Sequence, residues 1–449
     1  MARPASLSGF PEWLPEQRIV EQHVLDTLRR TFELWGLSSI ETRAVEPLEQ
    51  LLAKGEVDKE IYVVRRLHGS PEGGADDVRQ LALHFDLTVP LARYVLENAG
   101  RLQFPFRRYQ IQKSWRGERP QEGRYREFTQ ADVDVIGSGD LPFHYEVELP
   151  LVIADALNAL RPVGVPGFTI QVNNRKVAEG FYRGLGLTDV AAVLRTVDKL
   201  DKIGPDRVAQ ALVAEAGADD VQARACLALA DIRTPDASFA DRVRALGVEH
   251  PLLEEGLTEL ARVVEAAAEH APGVLIADLR IARGLDYYTG TVYETVLDGM
   301  PDLGSICSGG RYDQLAADGA NGYPGVGLSI GVSRLVGALV GRGMATATRS
   351  VPACVLVAVP DEKRRADCDR IAAGLRRRGI PVEVAPSAAK YGKQIRHADR
   401  RGIPFVWFPG EEGAHEVRDI RSGEQVPADA ASWDPPADDR WPRVVPAGG

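Results

Sequence analysis

The residues predict an α+β protein: an antiparallel-sheet domain over residues 1–340, interrupted by a helical insertion at 188–270, then an α/β domain over 350–449. Three observations carry this reading. Between Arg107 and Gly137, two runs that alternate apolar and polar residues flank a charged loop containing Pro120 and Gly123, the mark of a hairpin. From about Thr188 to His270 the composition shifts to alanine, leucine and acidic residues, broken by short Gly, Pro and Asp turns. Beyond the polar stretch GRGMATATRS, strand and helix patterns alternate, which requires right-handed crossovers and a mostly parallel sheet.

Composition narrows the class. A chain of 449 residues can bury more than one core, and 44% hydrophobic with 26% charged residues is ordinary for a soluble globular protein. The formal charge of −10 argues against a general basic coat for nucleic acid and leaves room only for a local basic patch. Four cysteines (Cys226, Cys307, Cys354, Cys368) form no CxxC pair, which suits a reducing compartment and neither a disulfide framework nor a structural zinc site. The N-terminus lacks an apolar h-region and no apolar run approaches ~18 residues, so a cytoplasmic protein without membrane attachment is expected.

In chain order, Glu16 to about Trp35 is an amphipathic helix. Ile19, Val20, Val24, Leu25, Leu28 and Phe32 recur at helical spacing, and Gly36 closes it. VDKEIYVVRRLHG is a strand, followed by the polar loop SPEGGADDVRQ. In LALHFDLTVPLARYVLENAG, Asp86 and Thr88 lie two apart on an extended segment, so both side chains point the same way. A carboxylate and a hydroxyl so placed can hold an ammonium group; they also suit a strand-to-helix cap.

The hairpin follows. Ala131, Val133 and Val135 belong against a core. The even positions face the other way, bringing Arg116, Arg124, Phe128, Gln130 and Asp134 together beside Gln110, Gln112 and Ser114. Two cations, a ring, an amide and a carboxylate suit a nucleoside phosphate next to a small cationic or amine-bearing ligand. A solvated sheet face with cross-strand ion pairs fits the alternation too.

LPFHYEVELPLVIADALNALRP is a helix ended by Pro162, VPGFTIQVNN a strand and VAEGFYRGLGL a helix leading to the insertion. The octet RGLDYYTG, Arg283 to Gly290, offers a fixed cation beside Gly284, then Tyr287 and Tyr288. Arg283 can bridge a carboxylate and a phosphate with its planar fork, and the tyrosines give an amphipathic wall. SICSGGRYDQL holds the pair Gly309–Gly310, and GYPGVGLSIGVSRLVGAL runs a glycine-rich strand into a helix with Arg334 on its first turn. In the last domain CVLVAVP, IPVEVAP and IPFVWFPG are strands. Asp361 caps one helix, and Lys390, Lys393, Arg396, Arg400 and Arg401 make the second basic.

These residues together resemble a known family. WRGERPQEGRYREFTQADVDVIG looks like motif 2 of class II aminoacyl-tRNA synthetases, in the form of the histidyl-tRNA synthetase family, with Trp115 where phenylalanine is usual. RGLDYYTG matches that family's first histidine-specific motif completely. Ser305 to Leu315 resembles the second, with Ser308 for a glycine, and the strand–helix pair at Arg334 resembles motif 3, with Ser333 for a glutamate. The first helix and the strand after it resemble motif 1, although Arg43 follows Thr42 where proline is usual; His84 stands where arginine is common. The last domain resembles the anticodon-binding domain of histidyl-, threonyl-, prolyl- and glycyl-tRNA synthetases.

The resemblance implies a ligase using histidine, ATP with Mg²⁺ and histidine tRNA, dimeric through motif 1, with no prosthetic group and no protein metal site. It assigns Arg116 and Arg283 to the α-phosphate and carboxylate, and Arg124 and Arg334 to the outer phosphates and adenine. Phe128 would stack on the base and Glu118 orient it. Asp86, Thr88 and Gln130 would hold the amino group and backbone of histidine, and Asp134, Tyr287 and Tyr288 its imidazole. Arg119 and Gln121 would meet the acceptor end of the tRNA; Lys390, Lys393 and Arg396 would meet the anticodon. The insertion would lie over the acceptor arm, and helical packing filler fits it equally. Two rivals stand: a catalytically silent synthetase-like module, and a class II synthetase for another amino acid. Silent paralogues typically lose the octet's arginine and the anticodon domain, both kept here.

Overall fold

The alternating hairpin becomes the middle of a nine-stranded mixed sheet. The computed structural model describes residues 5–52, 61–67, 80–282, 288–314, 316–317 and 321–447. They divide into two units, one of Met1–Pro11, Leu25–Arg161 and Val165–Ala338, the other of Glu12–Val24, Pro162–Gly164 and Leu339–Gly449.

In the first unit the strand order is Ser38–Ser39, Phe106–Trp115, Glu127–Ile136, Gly325–Gly331, Cys307–Tyr312, Thr291–Leu297, Phe168–Asn174, Leu275–Asp278, Arg233–Thr234. Pairing is antiparallel from Phe106–Trp115 through Phe168–Asn174, and parallel where Ser38–Ser39 and Leu275–Asp278 join. Period two decides the faces. Ala131, Val133 and Val135 are wholly buried, and helix His144–Ala159 packs along the same part of the sheet with Leu149, Val152 and Ile153 buried. The opposite, polar face is not solvated: Gln110, Ser114, Gln130, Asp132 and Asp134 are all buried.

Two local expectations need correction. Asp86 and Thr88 do not share an extended strand. The strand ends at Leu83, a helix begins at Thr88, and Asp86 Oδ1 accepts the amide of Val89 at 3.1 Å, satisfying one of the helix's free N–H groups. The strand read from VDKEIYVVRRLHG is described only as Val63–Val64, paired with Leu81–Leu83; most of the polar loop after it lies outside the described residues.

The insertion is helical: Val190–Val197, Leu200–Ile203, Pro205–Glu215, Asp220–Ala230 and Phe239–Arg244 lead to Pro251–His270. That last helix packs on Arg175–Gly184 and on the strands Phe168–Asn174 and Leu275–Asp278, so it also serves as a cover for the sheet.

The second unit holds a five-stranded sheet ordered Val382–Val384, Val355–Val357, Phe405–Phe408, His415–Asp419, Gln425–Ala428. The first two pairings are parallel and the last two antiparallel, so the sheet is mixed where a mostly parallel one was expected. The core is mainly aliphatic and includes the fully buried Trp407. Asp361 caps the turn Glu362–Arg364 ahead of helix Arg365–Arg377. The basic helix is Tyr391–Arg400, with Lys390 at its N-cap and Arg401 at its C-cap, paired to Glu383 at 2.9 Å.

Candidate active site

Register gathers the site. The hairpin pairs Gln112 with Gln130, Ser114 with Phe128, Gln110 with Asp132 and Arg108 with Asp134, so even positions of both strands share one face. A cavity of about 470 Å³ opens on that face. Of the expected residues, Arg116, Glu118, Arg124, Phe128, Gln130, Tyr288 and Arg334 line it. Asp86 and Asp134 are buried and do not line it, nor does Thr88, and Arg283 and Tyr287 lie outside the described residues.

One end is cationic. Arg116 donates from Nε to the Phe85 carbonyl at 3.0 Å, and its guanidinium lies 5.1 Å from the centre of the Phe128 ring. Glu118 sits 4.0 Å from Arg116 and 3.5 Å from Arg124. All three side chains are about a quarter to a half exposed, where such pairs add little stability. Their guanidinium groups are therefore available to a polyanion. Arg334 donates to the Gly123 carbonyl at 3.0 Å and to the Ser305 carbonyl, tying the hairpin loop to the start of its own helix. Gly123 has φ +70°, a conformation that strains other residues, and a Cβ there would crowd Leu303 Cδ1 at 3.0 Å and Arg334 Cγ at 3.1 Å.

The other end is buried and acidic. Arg108, with no exposed surface, pairs with Asp134 at 2.6 Å, and the Tyr312 hydroxyl donates to the other Asp134 oxygen at 2.6 Å. Opposite them, a Cβ on Gly327 would fall on Asp134 Oδ1, well inside contact distance. Asp132 accepts from the Ser329 hydroxyl, which accepts from Gln130 Nε2 at 2.7 Å. Burial pushes the Asp132 carboxyl up to about 7; Asp134 and Asp86 push the same way and Arg108 opposes them. Burial also raises the Tyr288 phenol, with Asp134, Asp86 and Asp132 adding to it, so the hydroxyl remains a donor at neutral pH. Two residues here escaped the sequence reading, Arg108 and Ser329, and Asp132 was placed on this face without a role. Strand parity carried the only signal, since Arg108 and Asp132 occupy even positions.

The departures from the family pattern have local partners. Ser333 Oγ accepts the Thr129 amide at 2.8 Å, joining helix Val332–Gly341 to the hairpin. Arg43 donates to Glu46 at 2.9 Å, a buried carboxylate that also takes Arg93 at 2.8 Å. His84 bonds the Lys113 carbonyl at 2.7 Å, and Trp115 donates to Glu127 at 2.9 Å. Ser308 is exposed on the cavity rim. Arg119 and Gln121 are exposed on the hairpin loop; Lys390, Lys393 and Arg396 are exposed in the second unit.

An antiparallel sheet whose hairpin and following strand–helix pair bring three arginines to one cavity defines a class II aminoacyl-tRNA synthetase fold. Residues 9–335 match the family model described as histidyl-tRNA synthetase, and residues 353–432 match an anticodon binding domain. The chain is 63% identical to "Histidine--tRNA ligase" of Micrococcus luteus, over 100% of both chains. It is 59% identical to the protein of that name from Cutibacterium acnes, over 99% of each. The crystal structure of histidyl-tRNA synthetase from Nostoc sp. PCC 7120 superposes with a TM-score of 0.83 at 35% identity, covering 96% of this chain and 98% of that one. The chain belongs to the histidyl-tRNA synthetase family.

Proposed function

We propose that the chain is a histidine–tRNA ligase that makes histidyl-adenylate and transfers the histidyl group to the 3′ end of histidine tRNA. The observation that carries the amino-acid assignment is the complete octet at 283–290, in a chain alike from end to end to relatives bearing that name. In the first step a histidine carboxylate oxygen attacks the α-phosphorus of ATP, and pyrophosphate leaves. In the second, the terminal ribose hydroxyl attacks the adenylate carbonyl, and AMP leaves.

Such chemistry depends on positioning and charge neutralisation more than on proton transfer. The cationic end suits the triphosphate: Arg116 and Arg283 serve the α-phosphate and carboxylate, Arg124 and Arg334 the outer phosphates and adenine. Phe128 is the stacking surface and Glu118 the carboxylate that orients the base. The buried end suits histidine. Gln130 takes the ammonium group with Asp86 and Thr88 behind it, and Tyr287, Tyr288 and Asp134 take the imidazole. Since Asp134 already binds Arg108 and Tyr312, its influence on the ring runs through the wall rather than by open contact. Magnesium enters with the ATP phosphates as part of the substrate.

The tRNA is engaged by Arg119 and Gln121 at its acceptor end and by the basic helix at its anticodon. The molecule works as a homodimer through the first helix and the strand after it; sedimentation at micromolar concentration is expected at twice the mass of one chain, and a pure monomer would refute this. The decisive assay is amino-acid-dependent exchange of pyrophosphate into ATP across the twenty amino acids. Exchange with histidine alone is expected. Exchange with none would establish a silent module, and exchange with another amino acid would overturn the specificity.

A further inference from the structure

One buried carboxylate has no part in the roles above. Asp132 is 3% exposed, lies between Gln130 and Asp134 on the same face of the strand, and accepts the hydroxyl proton of Ser329. Ser329 accepts from Gln130 Nε2 at 2.7 Å. Gln130 Oε1 is buried and has no hydrogen-bond partner among the described residues. This chain of bonds has a direction. An ionised carboxylate only accepts, and a serine hydroxyl carries one proton. With that proton given to Asp132, Ser329 offers Gln130 only a lone pair. The amide must turn its NH₂ toward Ser329, and its carbonyl is the half left unmatched. A buried carbonyl without a partner is costly unless a ligand supplies the donor, and an ammonium group is such a donor.

We propose that Asp132, acting through Ser329, is a positioning residue that fixes the orientation of Gln130 so that its carbonyl receives the α-ammonium of the amino-acid substrate. This rests on the reading of the cavity as the site of histidine activation. The relay works when Asp132 is ionised. The groups facing it are Arg108, which favours ionisation, the carboxylates Asp134 and Asp86, which oppose it, and Tyr288 and Cys307, both kept neutral by burial. A protonated Asp132 can donate to Ser329, whose own proton then turns to Gln130 Oε1. The amide is left facing the ammonium donor to donor. Asp132 titrates at about 7, so the relay is sensitive to pH near neutrality.

The test is histidine-dependent pyrophosphate exchange by the full chain and its variants Asp132→Asn, Ser329→Ala and Ser329→Thr, measured from about pH 6 to 8, across the raised carboxyl. Ser329→Ala is expected to raise KM for histidine about tenfold, the weight of a hydrogen bond to a charged group, and to leave KM for ATP unchanged. Ser329→Thr, which keeps the hydroxyl, should restore it. In the parent chain KM for histidine should rise as pH falls through about 7. Asp132→Asn should lose that rise apart from the part due to histidine's own imidazole. An unchanged KM for histidine in Ser329→Ala, an equal rise in KM for ATP, or the same pH profile in Asp132→Asn as in the parent would each overturn the relay. Parent exchange with no amino acid would instead overturn the functional reading, before any variant is compared.

Discussion

At the scale of single residues, the site is decided by what stands behind its wall. Arg108 and Asp134 form a buried pair with side chains 0% and 4% exposed. Removing one partner strands the other charge, at a cost of about 3–5 kcal/mol. Asp134→Ala should therefore lose stability by that amount as well as histidine affinity. Adding Arg108→Leu removes the stranded cation and should recover most of the stability without recovering the affinity. Urea unfolding with histidine KM on the single and double variants checks this; a single variant as stable as the parent would refute it. The sequence made the carboxylate visible and hid its partner. Parity puts Arg108 on the right face, but only the register sets it opposite Asp134, and register depends on a loop whose conformation the residues do not spell out. Parity places Asp132 on the same face, but a carboxylate between two family residues has no visible role until its bond to Ser329 is seen.

At the scale of elements, legibility followed local period. The hairpin strands run Phe106–Trp115 and Glu127–Ile136, close to where alternation put them, because period two and a Pro/Gly-bearing loop are both local signals. Asp86 and Thr88 fit an extended pair and a strand-to-helix cap alike, because a two-residue spacing looks the same in both; the bond from Val89 N to Asp86 decides for the cap. The last two strands of the C-terminal sheet were missed. Gln425–Ala428 is an exposed edge of four residues with a proline in it, too short to alternate and carrying a residue that argues against a strand. Ser333 shows the converse, a departure whose reason lies in a neighbouring element. Its hydroxyl is the partner of a Thr129 amide in the hairpin. Ser333→Ala should leave that amide unpaired and cost about 1–3 kcal/mol in urea unfolding. A loss below ~0.5 kcal/mol, ordinary for a surface change, would mean that the contact does not tie the helix to the hairpin.

At the scale of the whole molecule, the charge of −10 governs how tRNA is met. An acidic body repels a polyanion at long range, so affinity must come from cations presented locally and in number. In the proposed reading the C-terminal unit supplies them on one short helix and its cap: Lys390, Lys393 and Arg396 are all exposed, and Gln394 pins the helix to the segment after strand Val355–Val357 through the Val359 backbone amide and carbonyl at 2.9 Å each. A helix held by its buried amide presents its charges in fixed positions, and each phosphate neutralised should release counterions. Replacing Lys393 and Arg396 singly by alanine should therefore weaken tRNA binding, and flatten the slope of log affinity against log salt by about 0.7–0.9 per cation lost. Histidine-dependent exchange should be unaffected, because its residues belong to the other unit. Binding that weakens with an unchanged salt slope would mean that these side chains act by packing and not by phosphate contact. A chain ending near Arg349 that charged tRNA at full efficiency would show that the acceptor end alone suffices and that the basic helix serves something else.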